Sequence, residues 1–570
     1  MHQTTRFVRA LALITLLAGP SVSSPQTPPS PAPTPAATLS AAIGRMQAND
    51  LEGALGILDR VVALEPGNGR AWRILGTARH RHKDFDQAIE AFHHSLEVEP
   101  SMPTPLYSLG LAYAAKKDAD HAFEWLQKAR ASHQIDMTPM EGAGELASIK
   151  DDPRFKALLP TPKDFEDPFV EPVKIIREWD GEASNDQFGW IARNIGDVDG
   201  DGVNDIVTSA PTKDVGGANA GRVYVYSSKT GKLLWSADGR PGDQFGNGIE
   251  AAGDTNHDGI PDVIAGAPGG GYARIFSGRD GRLLHTFMAE DKNDQFGQHT
   301  DGVGDVDHDG FADVIVGAPG NSAGGAGAGR AYIYSGKTGR VLLTLTGERA
   351  GDGLGAAVGG SSDKAFTFLL VGAPQAGARR SGQTFVYRGL HSKPDFVIDS
   401  DGTGTALGGM FVSVPGDVDG DGIPDVYASD WNNTAKGPST GRIYVHSGRD
   451  GKRLLTLTGE TAGEGFGTSP SVAGDVDGDG HADLIVGAWQ YAGAATGAGR
   501  AYLYSGKDGR LMKAFTCKTP GDAFGFDAVT LGDVDGDGMA DFLITSAWSG
   551  IHGFHSGRVF IISSGVKRGR

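Results

Sequence analysis

Cys517 is the only cysteine in 570 residues, so the chain forms no intrachain disulfide, thiolate zinc cluster or iron–sulfur site. Positive charge is also short. The 52 Lys and Arg against 70 Asp and Glu leave a formal charge of -18, which argues against a partner held through phosphate or anionic lipid and points to cations. Charged residues at 21% and hydrophobic residues at 39% exclude a coiled coil, a polytopic membrane protein and a charge-rich disordered chain. Glycine is abundant: 87 residues, about twice the usual share. The length corresponds to about four ordinary domains, or fewer if one is a large β unit.

Arg6 and Arg9 precede the apolar run Ala10 to Ala18, followed by Gly19-Pro20 and Ser21-Val22-Ser23. This reads as a secretory signal peptide over 1–23, cut after Ser23, and the apolar run is too short to span a bilayer permanently. Residues 24–38, rich in Pro, Ser, Thr and Ala, read as an extended linker. The expectation is an exported chain, secreted, periplasmic or cell-surface, with no membrane insertion after cleavage and no nucleic-acid partner. Residues 566–570 form a basic tail.

From 39 to about 130 the sequence repeats at a period of 34: Ala54, Ala88 and Ala122; Asp50, Asp84 and Asp118; Leu75-Gly76 and Leu109-Gly110; Pro66 and Pro100. Apolar positions within each unit have helical spacing, and the small residues allow paired helices to approach closely. The pattern resembles the tetratricopeptide family, with Trp72, Leu75, Gly76, Ala88, Phe92 and Pro100 of the second unit at the family's offsets. The first unit departs from it, with Ala41-Ala42 in place of Leu-Gly. An extra helix and tail over Glu145 to Leu159 are expected to cover the last unit, giving a helical domain over 39–159. The resemblance implies either peptide binding on a concave face or a spacer and cap. A Pro-interrupted linker, 160–172, follows.

From residue 188 onward Gly-Asp-x-Asp-x-Asp-Gly recurs, with first carboxylates at Asp197, Asp254, Asp305, Asp417, Asp475 and Asp533. The one doubled interval, 112 residues, hides a seventh copy: Val358 to Pro374 aligns with Val303 to Pro319 and puts Gly360, Ser362, Lys364 and Phe368 where the others have acids. Lys364 is read as a partial substitute for the lost cation. Each intact loop offers side-chain oxygens at positions 1, 3, 5 and 9 and a backbone carbonyl at 7, enough to wrap a hard cation. These are Asp197, Asp199, Asp201, Val203 and Asp205; Asp254, Asn256, Asp258, Ile260 and Asp262; Asp305, Asp307, Asp309, Phe311 and Asp313; Asp417, Asp419, Asp421, Ile423 and Asp425; Asp475, Asp477, Asp479, His481 and Asp483; and Asp533, Asp535, Asp537, Met539 and Asp541. Position 12 of the first loop is Thr208 and the flanks read as strands, so these are not EF-hands. About six Ca²⁺ sites are expected, since 23 carboxylates in tight loops would otherwise repel one another.

Phe-Gly pairs stand nine residues before five of the first carboxylates, at Phe188-Gly189, Phe245-Gly246, Phe296-Gly297, Phe466-Gly467 and Phe524-Gly525. Gly-Ala-Pro-like elements follow the first four loops, and alternating strands and Gly turns fill the rest, four strands to a unit of about 55 residues. These units resemble the FG-GAP repeats of the integrin α-chain amino-terminal domain. The resemblance implies an all-β seven-bladed propeller with calcium loops over 173–565, following the α-helical domain. Val173 to Trp179 matches an outer strand missing from the last unit, so the ring is expected to close by pairing its two ends.

The resemblance also places the calcium loops on one face and the connections after Gly-Ala-Pro on the other. There Trp431, Asn432, Trp489, Tyr491 and Trp548 stand as ligand-binding candidates, suited to a protein or glycan; the alternative is that the tryptophans pack between blades. No catalytic motif is present, and His299 and Asp301 read as surface residues near a loop. The functional expectation is an exported calcium-binding, adhesion-like scaffold, not an enzyme, binding an extracellular or envelope protein or glycan. The competing reading is a calcium-dependent polysaccharide lyase or hydrolase.

Overall fold

The computed structural model describes residues 35–361, 366–470 and 472–569. The expected signal peptide, the linker as far as Thr34, and Ser362 and Lys364 of the fourth loop lie outside them. The chain divides after Pro100 into two compact units.

In the first unit, helices α1 (Pro35–Gln47), α2 (Leu51–Leu64), α3 (Gly69–Arg81) and α4 (Phe85–Val98) form two pairs. Asp50 caps α2 by accepting from Gly53 N at 2.9 Å, and Asn68 caps α3 by accepting from Ala71 N at 2.9 Å. Side-chain size sets the helix spacing: a Cβ on Gly76 would lie 2.5 Å from Cε1 of Phe92. Ala54, Ala71, Ala78 and Ala88 are fully buried.

The second unit opens with α5 (Thr104–Ala115) and α6 (Ala119–Ala131), built on the same rules. Asp118 caps α6 through His121 N at 3.3 Å. In place of the helix expected over Glu145 to Leu159 stand a 3₁₀ turn, Gly144–Ser148, and a single helical turn, Pro153–Lys156; another 3₁₀ turn, Thr138–Glu141, precedes them. Pro153 interrupts the expected helix. The segment still covers α6, burying Leu146, Ile149, Phe155 and Leu158 with Phe123 and Leu126. Residues 160–172 are stitched to the sheets that follow. Phe169 is 3% exposed and packs on Phe524 and Phe560. Val170 N donates to Thr516 O at 2.9 Å, and Arg558 donates to Phe165 O at 3.1 Å.

Seven sheets follow, the blades of the propeller. The first comprises Ala192–Gly196, Asp205–Ala210, Arg222–Tyr226 and Leu233–Asp238, from the channel outward. Second strands such as Asp262–Ala267 are buried along their whole length, covered on both faces, and read as unbroken runs; outermost strands are half exposed. In the sixth blade three strands are regular, and the single bridges Phe466–Ala488 and Gly474–Asp483 stand in the place of the innermost strand.

The Phe-Gly pair has a direct physical cause. Each glycine adopts φ between 81° and 102° and donates its N–H to the start of the Gly-Ala-Pro-like element, as Gly246 does to Gly266 O at 2.8 Å. On Gly189 a Cβ would lie 2.7 Å from Arg558 O. Each phenylalanine is at most 2% exposed. Copies four and five keep the glycine and replace the ring: Leu354-Gly355 and Leu407-Gly408 make the same bond, at 2.9 and 3.0 Å.

Ile175–Asp180 pairs with Arg558–Ser563, closing the ring as expected. The fourth copy is corrected in register. Val358 faces Val371 where Thr300 faces Val316, so its hairpin is shorter than an ungapped alignment requires. Gly360 therefore belongs to a strand paired with Leu369, not to a ligand position.

Candidate functional site

The acidic loops share one scaffold. The first carboxylate accepts from the glycine N–H at position 6, Gly202 to Asp197 Oδ2 at 2.8 Å and Gly538 to Asp533 Oδ2 at 2.8 Å, and from the position-5 N–H on its other oxygen. The position-9 carboxylate is fully buried. Asp205 Oδ2 accepts from Val198 N at 3.0 Å and its Oδ1 from Ser228 N at 3.1 Å, tying loop to hairpin turn. Burial, then the neighbouring loop carboxylate, pushes Asp205, Asp425 and Asp483 up to about 6 and Asp313 up to about 7.

Five groups of three carboxylates bring oxygens within 4.8 Å of one another: Asp197, Asp199 and Asp205; Asp305, Asp307 and Asp313; Asp417, Asp419 and Asp425; Asp475, Asp477 and Asp483; and Asp533, Asp535 and Asp537. The all-oxygen donor set fits a hard divalent cation. Asp201 Oδ2 and Asp541 Oδ1 are buried with no hydrogen-bond partner, the condition a cation relieves. The second loop forms no such group among the described residues. Asn256 turns its Nδ2 onto Asp262 Oδ1 at 3.1 Å, so the amide fills the place of a third carboxylate. Basic residues ring the loops: Arg449 Nε stands 2.5 Å from Asp421 Oδ2, and Lys174, beside the closing strand, stands 2.6 Å from Asp535.

Asp425 opens the strand Asp425–Asp430 and Trp431 follows its other end, so loop and tryptophan are separated by about 20 Å of extended chain. Trp489 and Trp548 follow the corresponding strands. The three meet: Trp489 and Trp548 pack edge to face at 4.5 Å between centroids, and Trp431 stands 6.3 Å from Trp489. Trp190 and Phe526 complete the cluster. Trp489 is 9% exposed, whereas Trp431 and Trp548 are half-buried. Tyr491 lies apart from the three under the Arg500 guanidinium, 3.9 Å from its ring, and Asn432 Oδ1 accepts from Ser439 Oγ at 2.8 Å.

His299 and Asp301, read from the sequence as surface residues, instead wall a cavity of about 410 Å³ bounded by the innermost segments of all seven blades. Arg193 and Glu250 were missed there. The available signal was the position four residues before the first carboxylate, which is Arg193, Glu250 and Asp301 in the first three copies but Ser413 and Val529 in later ones.

Comparison with known proteins agrees with this architecture. An FG-GAP repeat model matches residues 188–226, 245–284 and 298–334, an FG-GAP-like repeat model matches 417–486, and a tetratricopeptide repeat model matches 39–93 and 81–134. Among curated proteins, integrin alpha-PS5 of Drosophila melanogaster is 33% identical over 172 residues, covering 27% of this chain and 17% of that protein. Integrin alpha-5 of Xenopus laevis is 28% identical over 226 residues, covering 36% and 21%. Integrin alpha-4 of Xenopus laevis is 32% identical over 194 residues, covering 31% and 18%. The matched region is thus about a fifth of each relative. No helix among the described residues is long and apolar enough to cross a membrane. The chain carries tetratricopeptide repeats followed by an FG-GAP seven-bladed propeller similar to that of integrin α-chains.

Proposed function

We propose that the chain is an exported, calcium-stabilised interaction scaffold of adhesion-like character, whose partner is an extracellular or envelope protein or glycan. The observation that carries the reading is the convergence of Trp431, Trp489 and Trp548 at the strand ends remote from the acidic loops. Two of the three keep exposed area, and aromatic surface of this kind dominates recognition energetics. Six loops, of which five gather three carboxylates, hold Ca²⁺ and fix the blades from the opposite face. The helical pairs offer a second surface for peptide.

The test is a glycan and protein array probed with the full chain in about 1 mM Ca²⁺, then repeated with Trp431→Ala and Trp548→Ala. Saturable binding lost in both variants, without turnover of the bound molecule, supports the scaffold. Turnover of a bound glycan refutes it in favour of a propeller enzyme, and binding indifferent to both substitutions removes the tryptophan face from the account.

A further inference from the structure

The innermost strands place one residue of each of six blades at the same register. Arg193 faces Val207, Glu250 faces Ile264 and Asp301 faces Ile315, whereas Gly359, Ser413 and Val529 occupy the corresponding place in blades four, five and seven. Charge is thus confined to one arc of the channel. Asp527, from the seventh blade, extends it: Arg193, 4% exposed, is paired with both Asp527 and Glu250. The facing arc is apolar, with Val358, Phe411, Val412 and Val472 on the same cavity.

The arc is not neutral. Three carboxylates, Glu250, Asp301 and Asp527, stand near one guanidinium, which pairs with Glu250 and Asp527. Asp301 has no ion-pair partner among the described residues; its Oδ2 accepts from Gly360 N, at 3.0 Å. Burial, then Glu250, pushes the Asp301 carboxyl well above the carboxylate range, the direction expected where a carboxylate lacks a positive partner. Two further polar groups on the cavity lack partners. Thr300, 3% exposed, has a buried Oγ1 with no hydrogen bond, and the buried Nδ1 of His299 has none. Native proteins leave few such groups unsatisfied.

A single metal ion does not fit this pattern. No three of these side chains bring ligand atoms together as the loop carboxylates do. An elongated cation suits it, with its charged head at Asp301 and Glu250 and its aliphatic stem along the valine wall. Partial exposure of Glu250, His299 and Asp301 leaves a way in. We propose that the propeller channel is a binding site for an alkylammonium group, supplied either as a free amine or as the lysine side chain of a peptide.

The full chain, in saturating Ca²⁺, is titrated calorimetrically with n-hexylammonium and with N-acetyl-lysine methylamide, using hexanol and hexanoate as controls. The expected result is one saturable site for at least one of the two cations and none for either control, with affinity reduced at least ten-fold in Asp301→Asn. Tighter binding of the lysine derivative identifies a peptide source, and tighter binding of hexylammonium a free amine. Ser413→Lys, which plants an ammonium at the equivalent register of the facing arc, abolishes binding and serves where Asp301→Asn fails to fold. Absence of binding by both cations, equal binding of hexanol, or binding undiminished in the folded variants overturns the proposal.

Discussion

The Nε of Arg558 lies 3.0 Å from Oδ1 of Asp180, a residue 378 positions earlier in the chain. The same guanidinium donates to Glu178 Oε2 at 2.8 Å and to Phe165 O at 3.1 Å, so one buried side chain ties together the last strand, the first strand and the segment before it. Arg558→Ala leaves these acceptors without their donor. Removing one partner of a buried pair costs about 3–5 kcal/mol; because Glu178 and Asp180 retain solvent contact, the lower figure is expected. Urea unfolding of the variant beside Glu178→Ala, which loses under about 1 kcal/mol, checks the difference.

Calcium removal is the second test. A site with a Kd of roughly 10⁻⁴ M stabilises the fold by about 1.4 kcal/mol at about 1 mM free ion, so five or six sites contribute about 7–8 kcal/mol. Chelator is expected to lower the melting temperature strongly, with Mg²⁺ a poor rescue because it demands compact octahedral geometry. Asp419→Ala combined with Asp421→Ala should lower the Ca²⁺ stoichiometry by one in equilibrium dialysis. A melting curve indifferent to excess chelator removes the metal from the account of the loops.

Asp522 gives a pH test independent of the metal. It is fully buried, its Oδ1 has no partner, and burial pushes it up to about 7 against an ordinary 3.8. Between those values the unfolded chain has released the proton and the native chain still holds it, so the native state loses ground as pH rises towards about 7. Asp522→Asn is therefore expected to gain on the parent protein from pH 5 to pH 8, by up to about 3 kcal/mol. Thermal melts of both proteins at each pH provide the measurement, and a constant difference across that range contradicts the assignment.

Truncation tests the seam. Fragments starting at Pro160, Val173 and Glu182 successively lose Phe169 with its pocket and then the strand Ile175–Asp180. Stability should fall in that order, with the sharpest loss at Glu182, where Arg558–Ser563 becomes an open edge. Equal melting temperatures for the Val173 and Glu182 fragments would show that the pairing does not hold the ring.

Much of this architecture was legible because its parts repeat. Asp and Gly recur at fixed positions in each loop because the first carboxylate accepts from the position-6 glycine N–H and the position-9 carboxylate ties the loop to the hairpin turn, and Phe-Gly recurs because a bulky apolar side chain fills the gap between blades while the glycine takes φ between 81° and 102°. The register of the fourth hairpin was not legible. Its flanking Val-Gly and Val-Gly-Ala-Pro survive at an ungapped spacing, and only strand pairing shows that Val358 answers to Thr300. Nor was the channel. Arg193, Glu250 and Asp301 share a register but not a residue type, so no pattern of identity links them, and the pairing of Arg193 with Asp527 depends on blades distant in sequence. The capping segment differs from a continuous helix because Pro153 cannot continue one and opens a separate turn, Pro153–Lys156.

Closing a ring with its own two ends makes completion a matter of synthesis order. Ile175–Asp180 emerges early and has no partner until Arg558–Ser563 is made, so a chain arrested anywhere between them carries two unsealed edges. Pairings across so long a sequence separation form slowly. The seam is a junction between neighbours in space, so joining the old ends of the propeller and reopening the chain between two other blades preserves every strand pair and moves only the point at which folding has to wait.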